Sequence, residues 1–148
     1  MGTSSFSGPV TSQNGFIGAF SGSFVAGVGT HPLTAAINAT ATATAAQVAT
    51  GYLTSTSAAP TTITLPTGTL LGAALGAVQG TTLELYIDNT AGASTVTVAV
   101  AVNGILSSAA ADTAASFGDL TIAAGATGLA RFTIMFSSAT AYVFTRTA

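Results

Sequence analysis

The sequence predicts a mainly β protein, an antiparallel β-sandwich or flattened barrel with one short helix, preceded by an extended N-terminal arm. Three observations predict it. Residues 81–89 and 94–102 alternate apolar and polar side chains, the period-two signature of a half-buried strand. Turn-forming residues recur roughly every eight to twelve positions through the second half of the chain, the spacing of an all-β domain. Ahead of them, Met1 to about Thr34 carries neither period; it strings four phenylalanines on Gly, Ser, Asn and Gln.

The chain divides into residues 1–44, an arm followed by an Ala/Thr linker, and residues 45–148, a β-rich domain. In the arm the large side chains are Phe6, Phe16, Ile17, Phe20 and Phe24, with no formal charge among them. A signal peptide would place basic residues ahead of a continuous apolar block, and a flexible linker has little use for phenylalanine. The low-complexity run AAINATATATAAQVATG contains one helical turn, with Thr44 as N-cap and Gly51 as its stop. YLTST then forms a short strand.

From Thr61 the elements become regular. TTITLP is a strand ended by proline, and residues 67–78 read as the helix, capped by Thr67. In TTLELYIDN, Leu83, Leu85 and Ile87 face one way while Glu84, Tyr86 and Asp88 face the other. STVTVAVAV repeats the alternation through Val96, Val98, Val100 and Val102, so the two segments are expected to pair as a hairpin or as close antiparallel neighbours. ILSSAAADTAASFG reads as loop, DLTIAAG as a short strand, and GLARFTIMFSS and AYVFTRT as two strands joined by a tight turn. The expected core is Leu83, Leu85, Ile87, Val96, Val98, Val100, Ile122, Phe132, Ile134 and Phe136.

Composition narrows the function. Of 148 residues, 49% are hydrophobic and only 4% charged, against about 25% charged in ordinary domains. The charges are Glu84, Asp88, Asp112, Asp119, Arg131 and Arg146, net −2, with no lysine. That leaves no basic footprint for nucleic acid and no polybasic patch for anionic lipid. Mean hydropathy is +0.67, yet the longest apolar run, Leu70 to Val78, falls far short of the ~20 residues a spanning helix needs, and no membrane partner is expected. Surface charge normally keeps a small domain monomeric, so its near-absence points to surface covered by copies of the chain or by a larger body. Cysteine is absent, which excludes disulfides and thiolate chemistry.

Catalysis finds no foothold. Glu84 and Asp88 share a strand face about 13 Å apart, too far to act as a paired acid and base on one bond. His31 has no second histidine and no carboxylate near it in sequence, no G-x-S-x-G elbow exists, and GVGTHP fails as a dinucleotide fingerprint. No enzyme activity, metal or cofactor is expected. Gly68, Gly72, Gly76 and Gly80 recur at every fourth position and form a close-packing ridge. The ridge suits either a symmetry mate or the domain's own sheet.

SGPVTSQNGFIG (residues 7–18) resembles the opening of virion proteins of tailed bacteriophages, where a G-P-V-x-S-x-N-G-F-x-G segment leads into a β-rich body. From TATATAAQVATGYLTSTSAAPTTITLPTG through TTLELYIDNTAGASTVTVAV to RFTIMFSSATAYVFTR, the body is similar to capsid decoration (cement) and head-fibre proteins. Comparable segments occur in structural proteins of large DNA viruses. The resemblance implies a small non-enzymatic protein, commonly a homotrimer. It would be made in the host cytoplasm and bound through the major capsid protein to the capsid exterior, with Phe6, Phe16, Ile17, Phe20 and Phe24 as its docking arm. Two alternatives stand beside it: a receptor- or glycan-binding fibre module, and a non-viral self-assembling surface or shell protein.

Overall fold

The computed structural model describes residues 34–106 and 120–147. The expected arm residues Phe6, Phe16, Ile17, Phe20 and Phe24 lie outside them, as do His31, Asp112 and Asp119. The described chain is mostly β. In order its elements are β1 (Ala35–Ala36), β2 (Ala41–Thr42), α1 (Ala45–Ala49), β3 (Tyr52–Thr54), β4 (Thr61–Thr64), α2 (Gly68–Leu75) and β5 (Thr82–Asp88). They continue with β6 (Val96–Ala99), β7 (Gly104–Leu106), β8 (Thr121–Ile122), a 3-10 turn at Gly125–Thr127, β9 (Leu129–Ser138) and β10 (Ala141–Arg146).

The strands make two sheets, one ordered β1-β3-β5-β9-β10-β7 and the other β2-β4-β6-β8. Through β6 the chain changes sheet at every connection, so β1–β2, β3–β4 and β5–β6 are three successive turns of one winding, each parallel to the last. The register stacks Ala35, Leu53 and Ile87 in the first sheet and Ala41, Ile63 and Val98 in the second. After β6 the pairing becomes antiparallel where β8 closes onto β6 and the β9–β10 hairpin onto β5.

This corrects the expected topology. Among the described residues five of the eight strand pairings are parallel, and β5–β9, β9–β10 and β6–β8 are antiparallel. Neither sheet closes into a barrel among the described residues; β1 and β7 bound one, β2 and β8 the other. β5 and β6 are not a hairpin but belong to different sheets. Period-two alternation fixes which face of a strand is buried and says nothing of its direction. Parallel neighbours need a long crossover, and here the intervening strand of the opposite sheet supplies it.

Local chemistry sets the helices. Thr44 caps α1 in a reciprocal box, accepting from the Gln47 amide while the Gln47 side chain accepts from the Thr44 amide. Thr67 Oγ1 caps α2 by accepting from the Leu70 amide at 3.2 Å. Gly76, in the left-handed region at φ 59°, ends α2 at Leu75, short of the Val78 expected from sequence. β1 and β2 lie within the Ala/Thr stretch read from sequence as linker.

One core joins both sheets. Leu53, Leu85, Ile87, Phe132, Ile134, Phe136, Tyr142 and Phe144 come from the first, and Ile63, Val96, Val98 and Ile122 from the second, all buried. The Phe132 and Phe144 rings stack at 4.8 Å. Of the expected core, Leu83 and Val100 are partly buried against this cluster and the rest are fully inside it.

Candidate docking site

Three surfaces concentrate chemistry, and the fold decides what each can do. The glycine positions come first. Gly68 and Gly72 lie on the buried side of α2. A Cβ on Gly68 would run into the carbonyl oxygen of Thr140, and one on Gly72 into that of Ala139. Both carbonyls belong to the β9–β10 turn, so the chain's own hairpin fills this close approach. Gly76 is the helix stop, and Gly80, at φ 88°, lies beyond the helix. The four glycines thus fall in three different settings and form no single ridge.

Seating α2 by its glycine face turns Leu70 outward, 60% exposed. Beside it opens a groove of about 400 Å3, lined by Thr42, Ala43, Thr44, Ala45, Pro66, Thr67, Leu70 and Ala101. Not one lining residue is charged. Extending the β2–β4–β6 register by two residues aligns Thr44, Pro66 and Ala101 across three strands. The backbone bonds Ala43 N to Thr64 O and Leu65 N to Ala99 O carry that register forward. The floor therefore crosses the strand ends of all three turns. Val102, 72% exposed, extends the apolar surface where its carbonyl accepts from the Gly68 amide. The wall at Pro66 is held from inside, because the buried Tyr142 hydroxyl donates to the Pro66 carbonyl at 2.9 Å. Burial pushes the Tyr142 phenol up to about 12.

The third surface is the outer face of the first sheet. Tyr52 and Tyr86 stack there with ring centroids 6.5 Å apart. The Tyr52 hydroxyl donates to Asp88 Oδ2 at 2.7 Å, and Thr90 donates to Asp88 Oδ1 through both its hydroxyl and its amide. The Thr90 hydroxyl, and after it the Tyr52 hydroxyl, hold the Asp88 carboxyl below its usual value; the same bond to Asp88 raises the Tyr52 phenol. Glu84 points to the same side and is exposed. Asp88 is thereby committed to local hydrogen bonds that shape the strand end, and Arg131 Nε donates to Thr147 Oγ1 at 3.3 Å.

Among the described residues no group of three or more His, Asp or Glu could hold a metal, and no helix is long and apolar enough to cross a membrane. Sequence reading missed the groove because three of its eight lining residues, Thr42, Ala43 and Thr44, fall in the apparent linker. Its one available signal was the pairing of a capping threonine, Thr44, with a second, Thr67, each opening a helix after a strand of one sheet. It also missed Asn89, read as the last residue of the strand segment TTLELYIDN. Asn89 is fully buried, and its Nδ2 donates to the carbonyls of Ser94, Ala123 and Ile122 at 2.9, 3.0 and 3.3 Å. Compared with known protein families, with curated proteins and with solved structures, the chain has no match in any of the three.

Proposed function

We propose that this chain is a structural virion protein that decorates the outer surface of a capsid and stabilises the shell, acting as a homotrimer bound to the major capsid protein. The observation that carries the reading is the uncharged apolar groove beside exposed Leu70, in a chain whose preceding 33 residues hold Phe6, Phe16, Phe20 and Phe24 and no formal charge. Such surfaces associate by burying apolar area without desolvating ions. The two sheets would form the layers of a sandwich, with a rigid shared core that carries the docking elements. Each arm phenylalanine buried on docking contributes about 1.5 to 3 kcal/mol, against the entropy cost of ordering the chain. No catalytic role, cofactor or nucleic acid enters this reading.

A second reading is a glycan-binding fibre module. The stacked Tyr52–Tyr86 pair beside Glu84 on an open face favours it, since tyrosines offer an apolar body with a polar tip. Co-sedimentation of the purified chain with undecorated capsids separates the two. Decoration predicts saturable binding that changes little with salt, because apolar contacts are not screened. Absence of capsid binding, with glycan binding in its place, overturns the decoration reading.

A further inference from the structure

We infer that the groove beside α2 receives the phenylalanine-bearing arm of a second copy of this chain, residues 16–24, and so links copies head to tail. The inference rests on the arm being a docking element, and it names the surface that receives it.

The described residues begin at Thr34, directly before β1 of the first sheet. Any arm that simply continued the winding would run parallel to the strands and add to the edge of β1 or β2. The groove instead lies past the strand ends of the second sheet, lined by the laterally aligned Thr44, Pro66 and Ala101 and by Leu70 of α2. A further turn of the winding, added at the sheet edge, would therefore leave the groove unfilled. A segment arriving from another copy meets no such constraint.

Chemistry then selects the segment. The lining is alanine, proline, leucine and threonine, so the occupant must be apolar and uncharged. GFIGAFSGSFV is the aromatic-rich part of the chain that satisfies this. Laid out extended, Phe16, Gly18, Phe20, Gly22 and Phe24 fall on one face. The glycines between the rings let the backbone lie close to a neighbouring surface. β1 and β2 carry none of the lysine, proline or charge that blunts exposed edges, so the neighbouring surface also suits contact with another chain.

Symmetry supplies the last link. An arm seated in a different patch on the next copy is a heterologous contact, and such contacts make closed rings when the rotation closes. Three copies passing arms in one direction would close as a trimer.

The absence of cysteine makes the test direct. Two differently tagged full-length chains, one carrying Leu70→Cys and the other Phe20→Cys, are co-expressed, purified without capsids and oxidised. Parallel pairs use Phe16→Cys and Phe24→Cys. The inference predicts a disulfide-linked species containing both tags for at least one pair, several-fold above either single-cysteine chain alone. Leu70 is exposed, so its replacement leaves the core intact. In the same chain, Leu70→Cys with Phe20→Cys gives interchain multimers if the inference holds. A purely intrachain disulfide, or no crosslink above the single-cysteine level for any pair, overturns it. Capsid co-sedimentation of the uncrosslinked chain is measured separately, so loss of the groove assignment and loss of the decoration reading give different results.

Discussion

The Tyr142 hydroxyl donates to the Pro66 carbonyl at 2.9 Å across 76 residues of sequence. It ties β10, the last strand, to the junction where β4 passes into α2, and so fixes the groove wall from within. Gly104 leaves the room for it, since a Cβ there would meet the Tyr142 ring at 2.7 Å. Removing the hydroxyl with Tyr142→Phe leaves the Pro66 carbonyl without that partner and should cost about 1 to 3 kcal/mol by denaturant unfolding.

Tyr142 also sets an alkaline limit. Its folded-state value of about 12 lies above the ordinary phenol value of 10.0, because burial disfavours the phenolate. A group raised in the folded state stabilises fully below its unfolded value and loses that contribution as pH rises. Stability should therefore decline from pH 10 toward about 12, and the decline should flatten in Tyr142→Phe. Unfolding midpoints measured across that window check it.

Asp88 sets an acid limit of opposite sign. Hydrogen bonds from Thr90 and Tyr52 lower its folded-state value below 3.8. Its contribution is present above the unfolded value and disappears as pH falls through the lowered one. In Asp88→Asn the slope of stability below about pH 4 should shrink, and the same thermal unfolding series shows it.

The sequence made the inner face of the fold legible and hid its direction. Leu85, Ile87, Val96, Val98, Phe132, Ile134 and Phe136 are buried where alternation puts them, and Thr44 and Thr67 cap helices as their chemistry demands. Alternation looks the same in parallel and antiparallel strands, so the change of sheet between β5 and β6 left no mark beyond the turn at Asn89. β1 and β2 have two residues each, too few for a period to register. The groove was hidden for the same reason, since it forms only when that Ala/Thr stretch stacks on Pro66 and Ala101.

Asn89 holds the end of β5 against β8 and the loop between β5 and β6. Its Nδ2 serves three carbonyls, and its backbone carbonyl accepts from the amides of Gly92 and Gly125. Asn89→Leu keeps comparable volume but removes all three Nδ2 hydrogen bonds from a buried position. A loss of about 2 to 4 kcal/mol is expected, read from chemical denaturation at unchanged m-value.

Gly72→Ala should destabilise by more than Gly76→Ala. At Gly72 a methyl meets the Ala139 carbonyl, whereas at Gly76 the space is open and only the left-handed backbone is strained, a cost of about 1 to 2 kcal/mol. Equal midpoints for the two variants would mean that α2 does not rest on the β9–β10 turn.

The central claim is that this chain covers a shell. Its most direct test is the copy number and position of the protein on native particles, counted from a density map. Decoration predicts copies in proportion to the capsomers, spread over the capsid exterior, with adjacent copies joined through the Leu70 groove. A handful of copies confined to vertices or tail, or a protein lying entirely beneath the shell, would contradict it.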